Sequence, residues 1–290
     1  MQVDFERERR WWNAKVEKEE RDLGDEFINR ALRWREIERH LGGVSSILEV
    51  GGGTGVFSIP LAQRGFSVTH VDFSPAMLEI ARQKAADSPA LSFVEANAVD
   101  LPFPNRAFDL VLNLDGAISF CGAAAEQAIQ ESCRVAGKTV ILTVSNRALL
   151  AGLAVAASIR LTGRLIPGAL ALFNTGEWHQ DQFPDNYLLS KGLTQDYMGV
   201  LKAFTPEELT GALRQAGMRP VRVGGLGSLA QACDGQVLEY LRTDGTLLEI
   251  FLDLCERFDR EIVPDGPGTR QRAGLIAVAE RNDTQEGRVG

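Results

Sequence analysis

Three glycines and one aspartate form the pattern in this sequence with the clearest chemical meaning. Gly51, Gly53 and Gly55 directly follow a short apolar run at residues 47–50 and precede a helical pattern. Glycine has no Cβ, so such a loop can turn tightly and let its backbone approach a ligand closely. Asp72 ends the next apolar run, where a carboxylate can accept hydrogen bonds from two ribose hydroxyls. The spacing therefore predicts a site for a nucleotide or nucleoside.

The spacing of the glycines also bears on the identity of that ligand. A dinucleotide-binding G-x-G-x-x-G pattern that began at Gly51 would require a small residue at position 56, and the chain has Val56 there. Dinucleotide loops place a pyrophosphate at the N-terminus of the following helix. The G-x-G-x-G spacing favours a ligand without phosphates, and an NAD-dependent oxidoreductase is kept as an alternative hypothesis.

Candidate groups for a second substrate lie in the N-terminal segment and in residues 147–203. His179 is the only histidine of the second segment, and histidine has an unperturbed pKa near neutrality, so it is the candidate general base. Aromatic side chains of both segments could wall a pocket for a small apolar or aromatic molecule. They are Trp11, Trp12, Trp34, Trp178, Tyr187 and Tyr197.

The elements that must position these groups alternate between strand and helix patterns. Apolar runs occur at residues 47–50, 67–71, 91–94, 108–114, 139–144, 218–223 and 274–281. Continuous apolar strands between amphipathic helices are typical of a parallel sheet that is covered on both faces. The sequence therefore predicts an α/β fold, with a Rossmann-like, doubly wound sheet of seven strands.

Two additions accompany this core. Residues 1–44 predict an N-terminal helical cap, and residues 45–290 predict the core with a lid insertion at 147–203. Ser74 before Pro75, and Thr205 before Pro206 with Glu208 three positions on, are typical helix starts. Ligands of open α/β sheets bind at the carboxyl ends of the strands, so we expect both additions to shape the substrate site.

Several segments of the chain resemble the motifs of a known family. "LEVGGGTGVFSIPLA" followed by "VDFSPAML" resembles the first two motifs of class I S-adenosylmethionine-dependent methyltransferases of the small-molecule type. "VEANAVDLPFPNRAFDLVLNLDGAISF" resembles their third and fourth motifs, and its "LPFP…FD" style is shared with quinone-biosynthesis methyltransferases. "AFTPEELTGALRQAGMRPV" resembles the segment before their last two strands. The resemblance is close over residues 47–144 and moderate over 203–223.

The resemblance implies S-adenosylmethionine as the cofactor. The loop glycines would lie under its methionine part, with Glu49 near the amino end, and Asp72 would hold the ribose hydroxyls. The implied cofactor-binding residues are Glu49, Gly51, Gly53, Thr54, Gly55, Asp72, Phe73, Met77, Asn97, Ala98, Asn113 and Leu114.

The remaining implied roles concern the adenine and the sulfonium. Phe73 would lie against the adenine, and Asn97 and Ala98 would meet its edge. Many relatives have an acid where this chain has Asn97, and an amide can still donate and accept hydrogen bonds there. Asn113 and Leu114, at the end of the fourth strand, would lie next to the sulfonium.

The implied reaction is an in-line displacement at an activated methyl group, so positioning carries much of the catalysis. The sequence shows no carboxylate cluster of the metal-dependent type, and we expect no metal. The residues after the fourth strand, "NLDGAISF", lack the prolines of enzymes that methylate amino groups of DNA. The predicted acceptor is therefore an O, N or C atom of a small, largely apolar or aromatic molecule.

Composition bounds the partners and the compartment. The formal net charge is −8, which gives no sign of a basic face, so we expect no nucleic-acid partner. The start "MQVDFERERRWW" has no apolar core and is not expected to be a signal peptide. Four scattered cysteines without a CxxC pair indicate reduced thiols, so the expected location is the cytoplasm.

The most apolar segment, residues 148–158, is too short to span a bilayer, and Arg160 and Arg164 follow closely. We expect a buried lid helix there and no stable membrane insertion; a wall for a greasy substrate and a surface that rests on a membrane are the alternatives. A non-catalytic cofactor-binding protein that acts within a complex is a further hypothesis, because the glycine loop and Asp72 do not distinguish it from an enzyme. The sequence does not indicate the oligomeric state.

Overall fold

The computed structural model describes residues 3–16, 24–86, 88–114, 116–179, 199–269 and 274–282. Nine strands lie within these ranges: β1 Ser46–Val50, β2 Ser67–Asp72, β3 Leu91–Glu95, β4 Phe108–Asn113, β5 Ala136–Asn146, β6 Glu177–His179, β7 Val200–Phe204, β8 Met218–Gly225 and β9 Leu275–Arg281. The α-helices of the same ranges are α1 Phe5–Asn13, α2 Glu26–Arg39, α3 Ser58–Gln63, α4 Pro75–Ala85, α5 Ala125–Val135, α6 Arg147–Thr162, α7 Pro167–Thr175, α8 Pro206–Gln215, α9 Gly235–Thr243 and α10 Gly245–Arg257.

The central sheet has the predicted doubly wound arrangement. Five parallel strands stand in the order β3-β2-β1-β4-β5, and the chain order reverses between β1 and β4. Strand β9 pairs antiparallel with β5, and β8 pairs antiparallel with β9. All seven strands predicted from the apolar runs are present, and the prediction of a Rossmann-like α/β fold is confirmed.

Two further strands lie within the region that the sequence marks as an insertion. Strand β5 runs on to Asn146, and β7 pairs with its last two residues in parallel register. Strand β6 then pairs antiparallel with β7. A strand of three residues is too short to produce a period-two pattern, so the sequence did not predict it.

The core lies on both faces of the sheet. Successive residues of β4 alternate between two apolar layers, with Val111 in one and Leu110 and Leu112 in the other. These three side chains have no exposed surface. Strands that are buried on both faces read as continuous apolar runs, which explains why the sequence pattern found them.

The predicted helix starts are confirmed by their capping bonds. Ser74 Oγ accepts a hydrogen bond of 3.2 Å from the backbone N–H of Met77 at the start of α4. Thr205 Oγ1 accepts from the N–H of Glu208 at 3.1 Å, and Glu208 Oε2 accepts from the N–H of Thr205 at 2.9 Å. These reciprocal bonds form a capping box at α8.

The N-terminal segment contains two helices, α1 and α2, that take different positions. Helix α2 is attached to the core through Ile28 and Leu32, which are buried, and through Glu36. Burial raises the pKa of Glu36, but hydrogen bonding to His40 and the charges of Arg222 and its other arginine neighbours outweigh it and lower the pKa to about 2. Helix α1 packs instead toward the carboxyl ends of β2 and β3, where Arg9 Nη1 lies 3.4 Å from Glu95 Oε1.

The expectation of a buried lid helix at residues 148–158 was wrong. These residues belong to α6, which forms a helical hairpin with α7, and Leu153 and Ile159 on its outer side are 50% and 52% exposed. The inner side is buried at Ala151 and Ser158. Overall apolar composition could not reveal this, because both faces of the helix are apolar. Within the described ranges, no helix has the length and apolar character needed to cross a bilayer.

A candidate cofactor cleft at the carboxyl ends of the strands

The glycine loop after β1 is attached to the end of β2 by backbone hydrogen bonds. The N–H groups of Gly51 and Gly52 both donate to the carbonyl of Val71, at 2.8 and 3.0 Å. Gly51 has φ +68°, and a Cβ built on it would lie 2.3 Å from the Cβ of Ala117. Gly53 has φ +55°, and a Cβ built on it would meet no atom of the described residues within 4 Å. The loop therefore packs tightly at Gly51 and borders open space at Gly53.

Asp72 joins this loop at the floor of the cleft. Its Oδ2 accepts from the N–H of Gly53 at 2.9 Å, and its Oδ1 accepts from the N–H of Ser74 at 2.8 Å. Burial raises the pKa of Asp72, while these two backbone hydrogen bonds oppose the rise. A carboxylate offers about four lone-pair sites, so two bonds leave acceptor capacity for ligand hydroxyls.

Glu49 supports the loop from below. Its Oε2 accepts from the N–H of Ser58, the first residue of α3, at 2.8 Å. The ring of His70 is fully buried beside it, with Nδ1 2.7 Å from Ser58 Oγ and Nε2 3.1 Å from the carbonyl oxygen of Gly53. Glu49 thus places a carboxylate at the N-terminus of α3 and does not line the cleft.

The cleft has a volume of about 900 Å³, including its open mouth. Gly51, Gly52, Gly53, Thr54 and Asp72 form its floor. One side is lined by residues that follow β2 and β3, namely Phe73, Met77, Ala96 and Ala98. The other side is lined by Val56, Ala117 and Phe120. A polar floor thus meets predominantly apolar walls.

Helix α1 covers the mouth of this cleft. Phe5 and Trp12, seven positions apart on one face of the helix, line the cleft, and Arg30 of α2 joins them. The helix end is attached to the start of α4, since Ser74 Oγ lies 2.6 Å from Asn13 Oδ1 and donates to it. The ring of Trp12 meets that of Phe120 edge-on, with centroids 4.9 Å apart. Helix α1 therefore bridges the two sides of the cleft.

The structure brings seven of the twelve predicted cofactor-binding residues to the cleft lining. They are Gly51, Gly53, Thr54, Asp72, Phe73, Met77 and Ala98. Glu49, Gly55, Asn97, Asn113 and Leu114 do not line it. Lining residues that the sequence did not single out for this site include Phe5, Arg30 and Phe120.

Three of the residues outside the lining have other contacts. Asn97 Oδ1 accepts from the N–H of Val99 at 3.2 Å and so stabilises the turn after β3. Asn113 is fully buried and donates to Ser132 Oγ at 3.0 Å. Leu114 packs in the apolar layer that also contains Leu110 and Leu112 of β4.

Among the predicted acceptor-side aromatics that the structure describes, only Trp12 lines the cleft. Trp34 packs against Phe57, with ring centroids 5.2 Å apart, and Trp178 is 6% exposed in the small apolar cluster beneath α6 and α7. Trp11 packs on Trp12 at 4.8 Å and carries the ammonium of Lys15 over its ring at 3.6 Å. Tyr187 and Tyr197 lie outside the described residues. His179 ends β6 opposite Val200, and its side chain is also outside the description.

Glu8 is a buried titratable group that the sequence did not reveal. It lies on the face of α1 between Phe5 and Trp12, is 3% exposed, and faces Gly199 at the start of β7. Burial raises the pKa of Glu8 to about 7. The charge of Arg7 lowers this pKa, and the charge of Asp4 raises it. The Cys121 thiol is a further neighbour, and burial together with the Glu8 charge raises its pKa to about 12.

We expect Glu8→Gln to reduce the pH dependence of stability between about pH 5 and pH 8. A raised carboxyl pKa favours the folded state while the group is protonated, so this stability is complete below the ordinary pKa of 4.5 and is lost as the pH rises through about 7. The loss amounts to at most about 3 kcal/mol, at about 1.4 kcal/mol per pKa unit. Urea unfolding at both pH values measures it. Glu6→Gln, on the exposed side of the same helix, is the control, and an unchanged pH profile in Glu8→Gln would contradict the assignment.

Proteins that are similar to this chain in sequence are methyltransferases. A family profile described as a methyltransferase domain matches residues 47–138. The chain is 40% identical over 120 residues to a demethylmenaquinone methyltransferase of Thermus thermophilus, and the match covers 38% of this chain and 54% of that protein. The chain spans about a third to a half of the length of the curated relatives that it matches.

Solved structures share the fold over most of the chain. A possible histamine N-methyltransferase of Thermotoga maritima has a TM-score of 0.54 at 18% identity, with 94% of this chain and 99% of that chain covered. An S-adenosylmethionine-dependent methyltransferase of Mesorhizobium loti has a TM-score of 0.53 at 19% identity, with 88% and 100% covered. The glycine loop and Asp72 both lie within the matched domain. Residues 47–138 therefore form a methyltransferase domain, and the fold of the chain is that of S-adenosylmethionine-dependent methyltransferases.

Proposed function

We propose that this protein transfers a methyl group from S-adenosylmethionine to a small, largely apolar or aromatic acceptor. The observation that carries the proposal is the meeting of the glycine loop with Asp72 on the floor of one cleft whose walls are apolar. Gly51, Gly53 and Thr54 would hold the methionine part, and Asp72 would accept hydrogen bonds from the ribose. The cofactor supplies a methyl group activated by a sulfonium.

The hydrogen bonds of the loop favour a ligand without a pyrophosphate. The N–H groups of Gly51 and Gly52 bind the carbonyl of Val71, and that of Gly53 binds Asp72, so these donors are already used within the protein. The N-terminus of α3, which a pyrophosphate would need, holds the carboxylate of Glu49. A second negative group at that position would be repelled, which argues against an NAD-dependent oxidoreductase.

The adenine would lie among Phe73, Met77 and Ala98. Phe73 offers a ring face, and the side chains of Met77 and Ala98 are apolar, so this side of the cleft suits a flat heterocycle. None of these three side chains carries a charge. Asn97 does not line the cleft and would act on this side only by holding the turn at Val99 next to Ala98.

The acceptor would enter between the aromatic cover and the wall after β4. Phe5, Trp12 and Phe120 offer apolar surface there, and the Trp12–Phe120 contact restricts access of water. The similarity to a demethylmenaquinone methyltransferase supports an aromatic ring as the first acceptor to test. The acceptor atom is O, N or C, and His179 is proposed as the base where the acceptor must lose a proton.

The test is a turnover assay with cofactor labelled in the methyl group. We expect label to enter hydroquinones, naphthols or phenols in a panel that also contains amines. The cofactor must first be shown to bind. Binding without transfer to any member of a broad panel would favour the alternative of a non-catalytic cofactor-binding protein.

We expect Asp72→Ala to weaken cofactor binding by about 1–3 kcal/mol, because hydrogen bonds to a charged carboxylate are lost and the bond to Gly53 that shapes the loop is lost with them. Calorimetric titration with S-adenosylmethionine measures the change. Asp109→Ala is a matched control, since Asp109 lies on the same sheet and binds Ser45 and Lys138 away from the cleft. Equal affinities in the two variants would show that Asp72 does not touch the ligand.

A further inference from the structure

The outer face of the α6–α7 hairpin is apolar and exposed. The inner side of the hairpin packs on the small cluster of Leu172, Trp178 and Leu201. The outer side exposes between 41% and 58% of five large apolar residues: Leu153, Ile159, Leu165, Leu170 and Phe173. The solvent face of a helix normally carries polar and charged residues, so this face has the composition of a contact surface.

The charge of this hairpin is opposite to that of the rest of the protein. Residues 147–176 contain Arg147, Arg160 and Arg164 and no aspartate or glutamate, although the whole chain has a formal charge of −8. Arg147 is paired with Glu208 at 2.5 Å. Arg160 and Arg164 are exposed near the tip, and no ion pair joins either of them to a described residue. The tip therefore combines positive charge with apolar surface.

The turn between the two helices satisfies its polar groups internally. Ser158 Oγ donates to the carbonyl of Arg164 at 2.6 Å and accepts from the N–H of Ile166 at 2.9 Å. Thr162 Oγ1 donates to the carbonyl of Ser158 at 2.7 Å and accepts from the N–H of Arg164 at 3.0 Å. Backbone groups that are already hydrogen-bonded in this way can move from water into apolar surroundings with little loss of free energy.

We propose that the α6–α7 hairpin docks on the surface of an anionic lipid bilayer. The apolar side chains around Leu165, Leu170 and Phe173 enter the boundary between headgroups and acyl chains, while Arg160 and Arg164 meet lipid phosphates. An apolar face bordered by arginines is the composition that binds such surfaces, with each cation adding to the attraction. The hairpin lies on the membrane and does not cross it.

Charge also argues against a second copy of this chain as the occupant. Two copies packed hairpin to hairpin would bring their arginines together, and residues 147–176 offer no acid to separate them. A second exposed apolar face of the described residues, on α9 and α10 with Tyr240 and Ile250, lies among acids such as Glu239, Glu249 and Asp253, of which the last two pair with Arg35. An anionic lipid surface would repel that face, so it provides an internal control.

The hairpin is connected to the cleft through Phe120. This ring packs against the cluster beneath the hairpin and also lines the cleft. Docking would therefore bring the cleft close to lipid, where an apolar acceptor dissolves. This consequence rests on the proposed function, whereas the docking itself does not.

Co-sedimentation of the full chain with vesicles tests the docking. We expect the protein to sediment with vesicles of phosphatidylcholine and phosphatidylglycerol, to dissociate at high salt, and to stay in solution with phosphatidylcholine alone. Phe173→Ser, and separately Arg160→Glu with Arg164→Glu, should each lower the partition coefficient at least about tenfold. The melting temperature and cofactor affinity of these variants should stay unchanged.

Two matched controls define the expected contrast. Tyr240 and Phe173 are each 58% exposed, and Tyr240→Ser should leave vesicle binding intact. Arg214→Glu, a charge reversal at an exposed site outside the hairpin, should do the same. Equal binding to both vesicle types, equal losses in the controls, or a dimer in light scattering that Phe173→Ser dissociates would each overturn the proposal. Sedimentation needs no methyl acceptor, so its result can be interpreted even if the turnover assay fails.

Discussion

Gly53→Val should lower the affinity for S-adenosylmethionine by at least about a hundredfold, which corresponds to about 2.8 kcal/mol. Gly53 has φ +55°, a conformation that a β-branched residue adopts only with strain. A Cβ there would meet no atom of the part of the chain that the structure describes, so the valine side chain would occupy the space that the cleft leaves beside the loop. Strain and occlusion therefore act together on the ligand site, and calorimetric titration measures the loss.

Gly65→Val separates occlusion from backbone strain. Gly65 also has a positive φ, +94°, and open space around its built Cβ, but it follows α3 and does not line the cleft. We expect this variant to lose stability and to keep its affinity. If both variants bound the cofactor as tightly as the parent protein does, the glycine loop would not be the ligand site.

Trp178→Ala should destabilise the protein by about 3–5 kcal/mol and leave cofactor affinity unchanged. The side chain is 6% exposed and packs with Leu172, Leu201 and Phe120 between the hairpin and strands β6 and β7. Removal of so large a buried side chain leaves a cavity that its neighbours fill only in part. Thermal and urea unfolding measure the stability.

Trp12→Ala should show the opposite pattern. Trp12 is only partly buried and lines the cleft, so its loss should weaken ligand binding and change stability less. Full stability of Trp178→Ala together with lost turnover would instead place Trp178 at the acceptor, as the sequence predicted for it.

Most of the sheet could be predicted from the sequence because its central strands β1, β4 and β5 are buried on both faces. Such strands give continuous apolar runs, and the helices between them begin at recognisable caps such as Ser74 and Thr205. Strand β6 escaped the prediction, because three residues give no period. The outward apolar face of α6 escaped it as well, because composition states how apolar a helix is and not which side faces the core.

The floor of the cleft could be predicted for a similar reason. The ends of neighbouring parallel strands meet at one edge of the sheet, so residues that follow β1 and β2 had to lie together, and Gly53 and Asp72 do. The cover could not be predicted, because Phe5 reaches the cleft only through the packing of α1. The position of Glu49 at the start of α3 likewise depends on a loop geometry that the glycine spacing does not specify.

Glu49 provides the physical basis for the choice between cofactors. Its carboxylate already occupies the helix terminus that binds phosphate in dinucleotide folds, and the loop N–H groups are turned to Val71 and Asp72. The floor of the cleft thus retains acceptors for ribose hydroxyls, while the N–H groups of Gly51, Gly52 and Gly53 are already bonded within the protein and do not serve a pyrophosphate. Any ligand that the site selects should be adenosine-like and free of phosphate.

Calorimetric titration of the full chain with S-adenosylmethionine, and in parallel with NADH, tests this account most directly. We predict saturable binding of S-adenosylmethionine that Asp72→Ala weakens, and no binding of NADH at the same concentrations. Saturable binding of NADH with no response to S-adenosylmethionine would contradict it.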